Sequence, residues 1–259
     1  MKKTACAIII GNEILTGRTQ DINLSYIGQK MMDAGIHLGH ARTITDDEDD
    51  IIRNVNAVRP EYGYVFTCGG IGPTHDDITA QSIAKAFGVP LISHPEARAR
   101  LVRHYGSESE LTPARLRMTM VPEGATLIDN PVSGAPGFKM GNVHVMAGVP
   151  RIMQAMLDGI IPTLLGGPPI QARSIGCSLA ESRIAEELGK FAARYPQLSV
   201  GSYPYFKPTG YGLSLVIRGQ DETVLDMAEA ELFVLLETMG GSPVRLLEKT
   251  RQTHDKEAQ

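Results

Sequence analysis

Residues 5–88 repeat one pattern: a short apolar run, a polar turn, then an amphipathic stretch closed by glycine or proline. Ala5 to Ile10 is continuously apolar, as expected for a strand buried on both faces. Asp21 can cap a helix over 22–34, with Gly35 at the C-terminal glycine position. Residues 36–44 read as a second strand. Thr45 or Asp46 can cap the next helix, which carries Ile51, Ile52, Val55 and Val58 on one face and ends at Pro60. Residues 62–67 read as a third strand, followed by a glycine-rich turn and a helix over 76–87 closed by Gly88. Strands alternating with helices predict an α/β fold, a mostly parallel sheet covered on both faces. Right-handed crossovers put the loops after the strands at one edge, where open α/β sheets bind ligands.

Further along, the pattern is less regular. Residues 94–119 read as polar helices, one opening at His94-Pro95 and one at Thr112-Pro113. Residues 121–142 are rich in proline and glycine and read as an ordered loop region. Residues 143–146 are a candidate strand and 150–157 a helix. Gly166-Gly167-Pro168-Pro169 marks a boundary. Beyond it a strand over 171–177, a helix over 180–193, strands over 198–205 and 211–218 around a Pro-Gly turn, and a helix over 222–239 predict a small α+β module. The expected organisation is therefore a large domain over 1–167, a small module over 168–248 and a charged tail over 249–259.

At 259 residues the chain has room for both units. The net charge of −4 lacks the basic footprint of a nucleic-acid binder. Three distant cysteines, Cys6, Cys68 and Cys177, form no metal-ligand spacing and fit a reducing, cytoplasmic compartment. The apolar run after Lys2-Lys3 stops at Gly11, too short for a signal core, and no stretch is long enough to span a bilayer, so no membrane partner is expected.

Three segments fall at the predicted ligand edge: Gly11-Asn12-Glu13-Ile14-Leu15-Thr16-Gly17-Arg18, Thr45-Asp46-Asp47-Glu48-Asp49-Asp50, and Gly69-Gly70-Ile71-Gly72-Pro73-Thr74-His75-Asp76-Asp77-Ile78-Thr79. Glycines at a strand-to-helix turn let backbone N–H groups approach an anion, and the following helix N-terminus favours negative charge. Paired aspartates at that place would repel a bare phosphate. A divalent cation between carboxylate and phosphate resolves the conflict. The bland alternative is that the glycines are turn residues and the aspartates helix caps. The length of the third segment, set in an α/β unit, favours a metal-plus-phosphate site.

These segments, with Asp21-x-Asn23, Asn130-Pro131-x-x-Gly134-Ala135-Pro136-Gly137-Phe138 and Gly148-Val149-Pro150, resemble the MoaB/Mog (molybdopterin-binding) superfamily. Their form is similar to the N-terminal region of the competence/damage-inducible protein A family. The resemblance is strong over residues 4–165. Through Glu181-Ser182-Arg183-Ile184-Ala185 it extends more weakly into a KH-like module. It implies a three-layer α/β sandwich followed by that module, without the nicotinamide-mononucleotide deamidase domain of longer members. It also implies phosphoanhydride chemistry: hydrolysis of a nucleotide diphosphate of the ADP-ribose or FAD type, releasing AMP, with a divalent cation such as Mg²⁺. Two alternatives stand beside it: molybdopterin binding or adenylyl transfer in molybdenum cofactor biosynthesis, and a non-catalytic ligand-binding module. The implied partner is a small nucleotide or pterin, with the chain itself a homo-oligomer, dimer or trimer.

Carried over residue by residue, the resemblance makes Asp77, Asp46 and Glu13 the catalytic candidates, with Asp46 and Asp77 also holding metal. Gly11, Asn12, Gly69, Gly70, Gly72 and Thr74 are expected at the ligand, and Ser133, Gly134 and Pro136 at the pocket wall. Asn23 and Asp21 either contact the nucleotide or cap the first helix. A carboxylate would take a proton from a cation-activated water that attacks phosphorus. The chain departs from the family at Ala147, where proline is frequent, and at Arg151-Ile152-Met153, where an acidic residue is frequent. Those departures weaken any expectation of ligand contact from that turn. His144 reads as a core histidine, and Cys68 as a small buried filler without a base beside it.

Overall fold

The structure, a computed structural model, describes residues 3–207 and 210–246. It divides into two compact units, residues 1–168 and 169 onward. The expected Pro-Gly turn falls partly on residues 208–209 and the charged tail wholly on 249–259, outside the described residues.

In the first unit, β1 (Thr4–Ile10), β2 (His37–Ile44), β3 (Tyr64–Cys68) and β8 (Val143–Met146) run parallel, and β6 (Thr126–Ile128) and β7 (Gly137–Met140) add an antiparallel edge. The sheet order is β2-β1-β3-β8-β7-β6. Alternate residues of β1 serve two cores: Ala5, Ala7 and Ile9 join one, Cys6, Ile8 and Ile10 the other. That is why the segment is apolar throughout. The first core is completed by α2 (Asn23–Asp33) and α7 (Pro150–Ile160) through Ile27, Met31, Met153, Met156 and Leu157. The second is completed by α3 (Glu48–Val58) and α4 (Thr79–Phe87) through Ile51, Val55, Val58 and Ile83. The result is the expected three-layer α/β sandwich. Each fully buried side chain of this size contributes roughly 1.5–3 kcal/mol.

Several boundaries differ from the sequence reading. The loop after β1 contains a short helix, α1 (Asn12–Leu15). Asp47, not Thr45 or Asp46, caps α3, accepting from the Asp50 N–H at 2.9 Å. Thr45 instead donates its hydroxyl to Asp50 at 2.8 Å. The helix expected from Asp76 begins only at Thr79, because Asp77 is folded back onto Thr74 and Thr79 is tied to the glycine turn. Residues 121–142 are not simply a loop region: they supply β6 and β7, and residues 120–122 form β5 (Met120–Pro122), paired with β4 (Leu91–Ser93). Strands of three or four residues are too short for alternation to register in sequence. The polar helices are present as α5 (Pro95–Tyr105), capped by His94, and α6 (Pro113–Arg117), capped by Thr112.

The second unit is an antiparallel sheet in the order β10-β11-β9-β12, made by β9 (Gln171–Cys177), β10 (Ser199–Lys207), β11 (Gly210–Gly219) and β12 (Val244–Leu246). Helices α8 (Glu181–Arg194) and α9 (Glu222–Thr238) pack on it through Ile184, Phe191, Leu225, Leu232 and Leu236. β12 was absent from the sequence reading; it is short and exposed and carries no buried face to mark it. Among the described residues no helix is long and apolar enough to cross a membrane.

Candidate functional site

The loops that follow β1, β2, β3 and β8 meet at one edge of the sheet, and the glycine turn after β3 lies at their centre. Gly69 has φ of 115°, and a Cβ there would stand 2.1 Å from the Ile10 carbonyl oxygen. Only a glycine lets the chain pass that closely in that conformation. Gly148, in the turn after β8, lies against the same residue: its own Cβ would come 3.2 Å from the Gly69 Cα. Thr79 closes the turn, its N–H donating to Gly70 O at 2.9 Å and its hydroxyl to Gly69 O at 2.9 Å.

This turn leaves donors open. Gly69 N–H is taken by Met146 O at 3.1 Å, but the N–H groups of Gly70, Ile71 and Gly72 donate to no group among the described residues. Three successive free amides in a turn form an anion-binding concavity. They border a cleft of about 600 Å³, of the size that holds a nucleotide-like ligand. Glu13, Asp46, Asp76 and Asp77 line it, and these are the charged side chains of its wall.

Asp46 reaches across from the end of β2 to accept the Asn12 N–H at 2.9 Å through Oδ2, which ties the first loop to the second. Its Oδ1, like both Glu13 carboxylate oxygens, accepts no hydrogen bond among the described residues. Asp77 accepts the Thr74 N–H at 2.8 Å and the Thr74 hydroxyl, both on Oδ2, so its Oδ1 is open.

The expected site residues separate into two groups. The cleft gathers Glu13, Asp46, Asp77, Gly69, Gly70, Gly72 and Ser133. Gly11, Asn12, Thr74, Asn23, Gly134 and Pro136 are not in its wall. Gly11 and Asn12 give their N–H groups to Ile44 O and Asp46, and Thr74 gives both donors to Asp77. None of the three has a backbone or hydroxyl donor left for phosphate. Asp21, one residue ahead of the Ile22 N-cap, accepts from the first-turn N–H groups of Asn23 and Leu24 at 3.1 Å each. Asn23 is buried and donates to Gly148 O at 2.8 Å, holding the β8 turn in place. Gly134 is required by packing: a Cβ would stand 2.7 Å from His104 Cβ on α5.

Other wall residues are not among the expected site residues, although Ile71, Asn130 and Val149 stand in the segments quoted from the sequence. Ile71 supplies one of the three free amides. Asn130 is buried and organises its loop, accepting from Val132 and Ser133 N–H at 3.1 Å and donating to Ser133 Oγ at 2.6 Å and Ala135 O at 2.7 Å. Because Ser133 Oγ accepts there, its hydroxyl proton remains available to a ligand. Ala147, Val149 and Ile152 line the cleft despite the departures in that turn, and Tyr105 and Met118 come from the segment of polar helices. Cys68 is a filler as expected: burial first, then the Asp21 charge, pushes its thiol up to about 12.

The carboxylates offer oxygen donors, the type that hard divalent cations take. Among the described residues no three His, Cys, Asp or Glu side chains converge closely enough to hold a metal by themselves. Asp46 and Asp77 each keep one oxygen free of hydrogen bonds, whereas Mg²⁺ in general takes one or two carboxylates and completes its shell with water and ligand phosphate.

Residues 6–166 match the family model described as "Probable molybdopterin binding domain", and residues 169–240 match "FAD synthase, middle domain". A protein of Aeropyrum pernix is 32% identical over 243 residues, covering 90% of this chain and 91% of its own length. A CinA-like protein of Desulfosudis oleivorans is 34% identical over 203 residues; the match takes in 74% of this chain and 49% of that protein, about half its length. The crystal structure of the protein CinA with unknown function from Thermoplasma acidophilum superposes with a TM-score of 0.60 at 34% identity, over 63% of this chain and 99% of that one.

Proposed function

The chain belongs to the family of the "Probable molybdopterin binding domain", and on that premise we propose that it hydrolyses a nucleotide diphosphate of the ADP-ribose or FAD type, with a divalent cation, to release AMP. The observation that carries this reading is the juxtaposition, in one cleft, of three free backbone amides with carboxylates from three separate loops. Amides alone would suit any small anion. Carboxylates alone would suit a cation. Together they suit an anion that arrives with its cation.

In this reading the Gly70, Ile71 and Gly72 N–H groups hold one phosphate of the diphosphate. Asp46 and Asp77 would hold the cation, which when bound neutralises phosphate charge and makes water more acidic. Glu13, with both oxygens open, accepts a proton from the attacking water. The water oxygen bonds to the adenylyl phosphorus as the bridging P–O bond breaks, and AMP and a second phosphate-bearing fragment leave. The match of residues 169–240 to a domain of FAD synthase makes FAD the first substrate to try.

The test is AMP release from FAD and ADP-ribose with and without Mg²⁺ or Mn²⁺. Metal-dependent release is the expected result. No release with any metal would remove the hydrolase reading and leave molybdopterin binding, which the family description supports, as the next to measure.

A further inference from the structure

Of the residues lining the cleft, Tyr105 alone is aromatic. It ends α5, and Gly106 with φ of 92° turns the chain away immediately after it. The chain then returns through α6, where the Thr112 cap sets Arg115 in the first turn. From there the Arg115 guanidinium lies over the Tyr105 ring, 3.8 Å from its centroid. The guanidinium is itself held, donating to Glu110 O at 2.6 Å and facing the Glu110 carboxylate at 3.4 Å. The ring is therefore braced from one face by a cation that is anchored in turn.

A braced ring loses little freedom when a ligand stacks on it, so more of the stacking energy appears as affinity. The His104 ring meets Tyr105 edge-on, centroids 4.9 Å apart, which fixes the ring further, and the cation over it draws electron density from the ring, which suits the part that lines the cleft to an electron-rich heterocycle. Met118, Val149 and Ile152 add apolar surface to the same cleft, for which a sugar phosphate has no use.

We infer that Tyr105, braced by Arg115, is the base-binding subsite of this cleft and stacks on the purine of a nucleotide. The inference rests on the reading of the cleft as a nucleotide site, but not on hydrolysis. Tyr105 here is a binding residue and takes no part in the bond-breaking step.

The experiment is calorimetric titration of the full chain, in Mg²⁺, with AMP and separately with ribose 5-phosphate, which lacks the base. Base stacking is worth roughly ten-fold in affinity. Wild type should prefer AMP by about that factor. Tyr105→Ala should bind AMP as weakly as ribose 5-phosphate while its affinity for ribose 5-phosphate is unchanged, which also certifies its fold. Tyr105→Phe, which keeps the ring, should retain the preference. Equal AMP affinity in wild type and Tyr105→Ala overturns the inference. Binding of neither compound to wild type overturns both the subsite and the nucleotide reading. A ring-dependent preference for AMP without AMP release from any substrate would sustain the subsite and sink hydrolysis alone.

Discussion

His144 offers a quantitative test of how the sheet behind the cleft is packed. It lies on β8 between β3 and β7, 2% exposed, its ring stacked on Phe66 with centroids 5.1 Å apart. Its Nδ1 has no hydrogen-bond partner. Burial first, and the Lys139 charge second, push its pKa from the usual 6.5 down to about 4. The unfolded chain takes up this proton as pH falls through 6.5, whereas the folded chain stays neutral until about 4. Between those values the unfolded state binds more protons, so stability is full above 6.5 and falls as pH is lowered. At 1.36 kcal/mol per pH unit the loss approaches about 2 kcal/mol at pH 5 and about 3 kcal/mol below pH 4. For a unit of this size, about 2 kcal/mol is roughly 4–8 °C in Tm. His144→Phe keeps an aromatic ring against Phe66 and removes the titration. Calorimetric melting of both proteins at pH 7.5 and pH 5 subtracts every other acid-sensitive group. Wild type should lose roughly 4–8 °C more than His144→Phe over that range. Equal losses would refute the argument, because they would mean that His144 charges in the folded protein as readily as in the unfolded chain.

Three further outcomes are expected. Asp77→Asn should abolish metal-dependent AMP release with little change in Tm, since the amide oxygen can still accept from Thr74; a fully active variant would remove Asp77 from the chemistry. Gly69→Ala should destabilise by about 1–3 kcal/mol in urea unfolding, because its φ of 115° and the Ile10 carbonyl at 2.1 Å leave a Cβ no place; an unchanged midpoint would contradict that geometry. All three cysteines are buried, with Cys6 pushed up to about 11 and Cys68 to about 12, so a thiol reagent at pH 8 should titrate them only after denaturation. Rapid labelling of the native protein would show that one of these thiols is open to solvent.

Sequence legibility followed the length and burial of each segment. β1 was readable because burial on both faces leaves six consecutive apolar residues from Ala5 to Ile10. The loops after β1, β2 and β3 were readable as the ligand edge because topology alone places them there. The role of each residue within those loops was less readable. Thr74 reads as a phosphate donor until its two donors are seen to turn back on Asp77, and Asn12 until Asp46 is seen to cross to it. Spacing along the chain cannot report which acceptor captures a given N–H. Tyr105 and Met118 were hidden for a different reason. They come from α5 and the end of α6, outside the strand-to-helix crossovers, in a segment whose polar composition suggests only a solvated surface.

The wedge of Gly69 between the Ile10 carbonyl and Gly148 bears on how such a cleft can diversify. Its floor, with the free Gly70, Ile71 and Gly72 amides, is peptide backbone, and a point substitution exchanges side chains while leaving amides where they are. A Cβ at Gly69 collides with the Ile10 carbonyl, and one at Gly70 or Gly72 with the Thr79 or Asp77 side chain, so that part of the cleft resists gradual change. The wall drawn from α5, α6 and the turn after β8 is made of side chains with room to vary. On the proposed reading, a change of ligand would come from editing the wall, with the backbone floor kept.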